Sequence, residues 1–261
     1  MVIVIMGVIG GMVSVFMKSP IDAYIASGRR AELTDVADTA ARRMARDIQK
    51  ALPNSIRTSA DHQCIEFIPT KTGGRYRADE TAAALNFYAA DAVFNMLGSN
   101  NALPANQQIA IGDVIAVYNL GIPGADAYRQ ENISAVTGVG TELVIAPGTS
   151  PETPISMTSM QFPFASGGNR FHVIPGNEKV VSYVCSGEKL YRNANYAYTT
   201  AIACPVPNPG TTPVLANNVA CTFDYGGSDL QRNALVKISL TFTKSEEAVR
   251  LYHEVHVNNT P

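Results

Sequence analysis

The chain opens on seventeen residues without a charge. MVIVIMGVIGGMVSVFM, Met1 to Met17, holds one hydroxyl, Ser14, and is otherwise Val, Ile, Met, Gly and Phe. Whatever covers such a run must be apolar. As a helix it is about 25 Å long at 1.5 Å per residue, a little short of a bilayer core of roughly 30 Å. Gly7 and Gly11, four apart, leave a shallow strip where a second helix can approach closely, with Val4, Val8 and Val15 beside it. No small-residue cleavage site follows, so the run does not read as a signal peptide. It reads as a membrane helix that continues into an amphipathic one.

The continuation begins after Lys18-Ser19-Pro20. From Ile21 to Leu52 the apolar positions Tyr24, Ile25, Leu33, Val36, Ala40, Met44, Ile48 and Leu52 recur mostly at three- and four-residue steps. Pro20 can start a helical turn or kink a continuing one, and Pro53-Asn54 ends the pattern. The two segments together span about 75 Å if continuous. A head domain can cover only the C-terminal half, through Leu33, Val36, Ala40, Met44, Ile48 and Leu52. The first half must find its cover elsewhere. The basic residues Arg29, Arg30, Arg42, Arg43 and Arg46 share this helix with Glu32, Asp35, Asp38 and Asp47. Asp38–Arg42 and Arg43–Asp47 are four apart, so a solvated, ion-paired face accounts for them. A net charge of −2 speaks against nucleic acid as a partner.

After Pro53 the pattern turns to strands. Cys64–Ile68 alternates, Gly73-Gly74 reads as a turn before Arg75-Tyr76-Arg77, and Thr81–Met96 reads as a short helix or a packed loop. Val114–Tyr118 and Leu143–Ile145 read as strands, with a turn at Gly121-Ile122-Pro123-Gly124. Pro, Ser, Thr and Gly dominate from Ala146 to Asn169, which reads as a long loop. Val180–Cys185 and Lys189–Arg192 flank a hairpin turn at Ser186-Gly187-Glu188. Cys204–Asn218 reads as a surface loop. Val219–Tyr225 and Leu235–Thr243 flank Gly226-Gly227-Ser228-Asp229, and Arg250–Val257 is the last strand.

No catalytic constellation appears. His253 and His256, three apart on a strand, point to opposite faces, while His62 and His172 stand alone. HExxH, GxSxG, P-loop and GxGxxG patterns are missing. Asp224 to Asp229, DYGGSD, has two carboxylates, but turn chemistry explains it better than calcium does. Glu66, Asp224 and Asp229 are the acids left for a hidden cleft. Cys64, Cys185, Cys204 and Cys221 lack the CxxC spacing of a zinc ribbon. Their even number suits one or two disulfides in an oxidising compartment, with three full pairings open.

The apolar run, Tyr24 and the helix ending ARRMARDIQKALPNSIR resemble the N-terminal half of a type IV pilin-like protein, more narrowly the minor pilins and pseudopilins of the J and W types. FIPTKTGGRYR, IGDVIAVYNLGIPGADAY, VSYVCSGEKLYR and CTFDYGGSDLQRNALVKISLTF are similar to the MshO-like minor pilins of mannose-sensitive haemagglutinin pili. The resemblance covers essentially the whole chain. Family members carry a basic leader, a Gly–Phe cleavage point and a Glu early in the mature helix. The present sequence starts beyond these, as a truncated or late-started chain would.

The resemblance implies an α+β fold, with a long N-terminal pilin-type helix, transmembrane in its first half, packed on a mostly antiparallel β-sheet head. Residues 1–19 would be the transmembrane and filament-core segment, 20–53 its amphipathic continuation and 54–261 a β-rich head. Cys185–Cys221, both in Tyr-rich strand-like runs, would be the first disulfide, with Cys64 and Cys204 as a second pair. Assembly would run through Val4, Gly7, Val8, Gly11 and Val15. The implied function is structural, in the priming or tip complex of a pilus, with no catalysis, cofactor or metal. The implied partners are other major and minor pilin-like subunits, the pilus assembly machinery and, before assembly, the bacterial inner membrane, with the head in the periplasm and later at the cell surface. The competing expectation is an anchored binding module whose loops, Ala146–Asn169 and Ala203–Asn218, hold a surface ligand such as a glycan, or a type II secretion pseudopilin.

Overall fold

A computed structural model describes residues 2–79, 83–144, 150–226, 233–245 and 247–261, with the side chains of 13–15 and 17–19 outside the description. Helix α1 spans Val2–Ile48 with Pro20 inside it. Its buried positions are Leu33, Ala37, Ala40, Ala41, Met44, Ala45 and Ile48, one stripe at three- and four-residue steps. Alanine fills most of the stripe, so the helix lies close against what it covers. Val36 was expected there and is 40% exposed. At about 100° per residue it sits roughly a quarter turn from the middle of the stripe. Leu52 is buried beyond the helix, in a different core.

Fourteen strands follow among the described residues: β1 Arg57–Thr58, β2 Cys64–Phe67, β3 Thr72–Arg75, β4 Asp91–Leu97, β5 Val114–Ala116, β6 Ile133–Val139, β7 Glu152–Met160, β8 Arg170–Ile174, β9 Val181–Ser186, β10 Lys189–Ala194, β11 Val214–Asn217, β12 Val219–Tyr225, β13 Asn233–Lys244 and β14 Glu247–Asn258. They form three antiparallel sheets, β1-β2-β9-β10-β11, β12-β13-β14 and β3-β8-β5-β6-β7-β4. The expected α+β architecture is thereby corrected. The described chain is mostly β, in three sheets rather than one, with α1 and a single 3₁₀ turn at Ala127–Arg129 as its helices. The transmembrane first half is corrected with it. Among the described residues no helix is long and apolar enough to cross a membrane. Gly7, Gly10, Gly11 and Ser14 add little apolar surface to the stretch, and Lys18 and Asp22 bring charge into it.

The first two sheets share one core with α1. Ile65 and Phe67 of β2, Tyr183 of β9 and Leu190 of β10 meet Phe223 of β12 and Val236, Ile238, Leu240 and Phe242 of β13 around the alanine stripe. The third sheet curls on itself. Tyr76 bridges Met96 and the Arg77 N–H bonds Asn95 O at 2.9 Å, so β3 and β4, its two edges, meet and enclose Phe94, Ile115, Ile155, Phe171 and Val173. One bridge and one backbone hydrogen bond join the two edges among the described residues. Between this barrel and the helix-bearing sheets lies a seam of Leu52, Ile68, Val114, Ala116, Ile133 and Ile174. Strand β5 serves both sides: Ile115 points into the barrel while Val114 and Ala116 point into the seam. A strand buried on both faces reads as a continuous apolar run, which is why this segment was legible.

Several local expectations are corrected. Gly73 and Gly74 lie inside β3, not in a turn. A Cβ on Gly74 would stand 2.8 Å from the Phe171 ring and 3.2 Å from Met96 Sδ, so glycine is required there by close approach. Asp91–Leu97, expected as helix or loop, is a strand, and the long loop from Ala146 contains the nine residues of β7. Ser156 and Thr158 alternate with Ile155 and Met157, and the strand pairs on both sides, with β4 and β6. Leu143 makes one isolated bridge to Glu152, and Ile145 lies outside the described residues. The Ser186–Lys189 hairpin turns through Gly187 and Glu188, both at positive φ, the geometry a two-residue hairpin needs.

Two outcomes follow. Gly74→Ala is expected to destabilise the fold by about 1–3 kcal/mol through overpacking, read as a lowered denaturant midpoint, whereas Gly7→Ala meets open space and leaves it unchanged. Glu152, buried and bonded by Arg77 and by Asn95 Nδ2 at 2.9 Å, is held below the usual carboxylate range, with the Arg77 hydrogen bond as the main cause. A depressed folded pKa contributes stability that is present above the unfolded value of 4.5 and is lost as pH falls through the folded one. Glu152→Gln is therefore expected to lose less stability than the native chain on acidification from about pH 5 to pH 3, measured by urea unfolding at each pH.

Candidate assembly surface

The surroundings of α1 change near residue 32. Beyond it the stripe is buried; before it nearly every described side chain is in solvent. Ile3 is 88% exposed, Val4 69%, Val8 52% and Phe16 78%, and Ile5, Met6, Ile9 and Met12 are exposed with them. A Cβ placed on Gly7 or Gly11 meets nothing within 4 Å. Val15 was expected beside them, and its side chain lies outside the described residues. Among the described side chains, the stretch from residue 2 to Phe16 is thus a bare apolar arm, exposed throughout. Contiguous apolar surface of this kind marks an interaction site.

The covered half is fastened at both ends. Where the arm leaves the head, Arg30 Nε bonds Glu247 Oε2 and Lys244 Nζ bonds both Glu32 oxygens, tying the helix to the tip of the β13–β14 hairpin. At its C-terminal end Asp47 Oδ2 accepts from Tyr183 Oη at 2.7 Å and from Arg192 Nε at 2.9 Å, and Arg192 also holds Glu178. Asp47 was expected to pair with Arg43 along the helix; it turns instead to the sheet, where a half-buried guanidinium is the better partner. Asp38–Arg42 is present as an exposed pair.

Behind the helix stands a buried acid. Ile65 and Phe67 face α1, so Glu66 between them faces the other way, fully buried. Arg57 Nε donates to its Oε1 at 2.6 Å, Tyr196 Oη to its Oε2 at 2.7 Å, and the N–H groups of Ala203 and Cys204 to the same oxygen at 3.2 Å. The Arg57 guanidinium lies 3.4 Å over the Tyr128 ring and bonds the carbonyls of Thr199, Thr200 and Ala201. Glu66 is therefore a structural hub that pins the 196–204 segment and not a free acid in a cleft. Sequence reasoning left its role open. An acid inside the apolar run CIEFI was the one available signal. The same segment is held covalently, since Cys64 and Cys204 are joined, and Cys185 and Cys221 join β9 to β12 across two sheets. The second loop proposed for ligand capture is thus tied down, and its end is β11.

Other candidate chemistry does not converge. His62 Nδ1 lies 3.0 Å from Phe223 O. His172 is pushed down to about 4, first by burial and then by Arg170, and stays neutral. His253 faces the helix side of β14 and His256 faces solvent. Asp224 lies near Lys237, and Asp229, with most of DYGGSD's turn, is outside the described residues. Among the described residues no group of three or more His, Cys, Asp or Glu side chains could hold a metal ion. A cleft of about 600 Å³ at the barrel mouth is lined by Tyr76, Asp79, Asn86, Phe87, Tyr88 and Asp91. Its polar groups are already spent locally: Asp91 accepts from the N–H groups of Asn86, Ala92 and Val93, and Asn86 Oδ1 from those of Tyr88 and Ala89.

No family model matches the chain, and neither a curated protein nor a solved structure matches it.

Non-reducing peptide mapping is expected to return Cys64–Cys204 and Cys185–Cys221. In the chain-entropy model, closing 140 and 36 residues contributes up to roughly 5 and 4 kcal/mol. Cys64→Ser with Cys204→Ser should therefore lower the unfolding midpoint more than Cys185→Ser with Cys221→Ser, measured under oxidising conditions.

Proposed function

We propose that the chain is a minor pilin-like structural subunit that assembles with other pilin-like subunits by packing its N-terminal arm among like helices, and that it carries no catalytic chemistry. The observation that supports this is the arm itself: a continuous helix whose described side chains from residue 2 to Phe16 are all apolar and exposed. Leaving that many Ile, Val, Met and Phe side chains in water costs about 1.5–3 kcal/mol each relative to burial. A bundle of like helices removes the cost for every member at once. The Gly7–Gly11 strip lets one neighbour come close, where dispersion contacts and shape decide partner and register. The resemblance of the whole chain to minor pilin-like proteins points the same way, toward the priming or tip complex of a haemagglutinin-type pilus. The head then serves as the rigid body that the arm carries into place, with its disulfides and buried Glu66 keeping it intact outside the cell's reducing interior.

The test uses the open space at the two glycines. Because a side chain there meets nothing in the single subunit, Gly7→Leu with Gly11→Leu should leave the head's thermal midpoint unchanged. Co-expressed with pilin-like subunits, the same variant is expected to drop out of filaments by at least about tenfold, measured by immunogold labelling, since a bulky strip blocks close helix approach. Val8→Asp should do likewise. Unchanged incorporation of both variants would overturn the reading.

A further inference from the structure

Among the described residues, the fold attends to its strand edges with one exception. Strand β1 has two residues, β11 has four and an irregular register against β10, and the barrel's edges meet at Tyr76 and Met96. Strand β12 gives its outer edge to the chain's own loops, with the Phe223 N–H bonded to His62 O and the Val219 N–H to Glu188 O. Strand β14 is different. It pairs with β13 alone, over twelve residues in unbroken register, without proline or bulge. A long, regular, open edge is a template for another strand.

The register fixes which groups are free. The Thr243 N–H bonds Asn218 O and the Gly226 N–H bonds Leu235 O, so odd-numbered residues of β13 face β12 and even-numbered ones face β14. With Val236 opposite Val255 and Phe242 opposite Val249, the odd residues of β14 face β13 in turn. Ala248, Arg250, Tyr252, Glu254, His256 and Asn258 then direct both N–H and C=O to the open edge. Their side chains are all exposed.

We propose that this edge is an interface between two copies of the chain, β14 pairing antiparallel with β14 of a second copy about a two-fold axis at Tyr252. The edge is self-complementary in that register. Tyr252 faces Tyr252, Arg250 faces Glu254 and Glu254 faces Arg250. Slipping the centre by one residue toward the C-terminus sets Arg250 against His256. Slipping it the other way sets Arg250 against Tyr252 and Glu254 against Ala248. Of these three registers, only the one centred on Tyr252 matches both guanidiniums with both carboxylates, and opposite charges in cross-strand pairs stabilise while like charges destabilise. Glu254 is prepared for it: Tyr252 Oη occupies Oε1 at 2.7 Å and leaves Oε2 free for the second copy's guanidinium. The helix side of the edge has room as well. A groove of about 480 Å³, lined by Thr39, Arg42, Ala45, Arg46 and His253, lies between α1 and β14. Leu251 of the second copy, opposite His253, fills its mouth. An isologous contact of this kind closes at two subunits.

The pairing does not depend on the reading of the arm. Arg30 and Glu32 lie at the hairpin tip and Arg42 and Ala45 near His253, so α1 runs in the direction of β14. The two-fold axis therefore sends the two arms opposite ways, and a paired chain is a form held outside a parallel helix bundle.

The test uses the full chain in detergent micelles. All four native cysteines are paired, so Tyr252→Cys adds one thiol. Across the axis its Cα would lie about 5.5 Å from its counterpart, within disulfide reach. Mild oxidation is expected to give a covalent dimer. In that background Glu254→Arg alone, or Arg250→Glu alone, should lower the cross-linked fraction about fivefold or more, and the two together should restore it. Failure to cross-link, or failure of the double reversal to restore, overturns the proposal. So does cross-linking that ignores both reversals but is lost with Val8→Asp, which would assign the association to the arm. A chain that stays monomeric yet captures a different protein on this edge also overturns it.

Discussion

The covered half of α1 is the constraint from which the rest of the structure follows. An isolated helix gains little per residue in water, and α1 holds its shape because Leu33 to Ile48 lie against two sheets at once. Alanine at 37, 40, 41 and 45 brings the helix axis close to both, and larger residues there would have to part the five-stranded sheet from the three-stranded one. The Cys185–Cys221 link crosses between the same two sheets beneath it. Helix, sheets and disulfide thus determine one another. The arm inherits its direction from this packing, because a helix begun in the core continues along its own axis. The Arg30–Glu247 and Lys244–Glu32 pairs at the exit lie at the surface and are weakened by salt, so they add little to the packing that sets the arm's direction.

The same economy of position explains the buried charges. Strand β2 alternates between the helix core and the far side, and Glu66 falls on the far side, under Arg57 of β1 and the 196–204 segment. A buried carboxylate there would be costly alone; with Arg57, Tyr196 and two backbone N–H groups it ties the 196–204 segment to the sheet. Glu152 does the corresponding work at the barrel's closure, drawing Arg77 and Asn95 together where β3 and β4 meet. In both places a carboxylate gathers donors from segments far apart in the chain.

How legible this was depended on how local the cause is. The helix stripe and strands β5, β9, β12, β13 and β14 were read from periodicity, because burial on one or both faces imposes it. Strand β7 was missed because ETPISMTSM looks like loop in composition, and only pairing on both sides makes it a strand. Gly73 and Gly74 misled for a related reason: the sequence cannot say whether a glycine bends the chain or lets the Phe171 ring approach. Barrel closure, the three separate sheets and the Glu66 hub arise from contacts between distant segments, for which one sequence has no signal. On the arm, Gly7 and Gly11 were singled out by their four-residue spacing, and a Cβ on either meets nothing within 4 Å; Val4 and Val8, implied by the resemblance, are exposed.

The glycines of the arm bear on what can cover it. A bundle of like helices can stagger its members along the axis so that a charged position of one meets a polar position of the next. It also makes use of what a lipid tail ignores. Gly7, Gly10 and Gly11 weaken insertion, since glycine adds no apolar surface, yet they create the one place on the arm where another backbone can come close. A run tuned only for lipid would gain by exchanging these glycines for leucine. Three of them fall within five residues, so on the proposed reading the strip they form is where a neighbouring helix would lie.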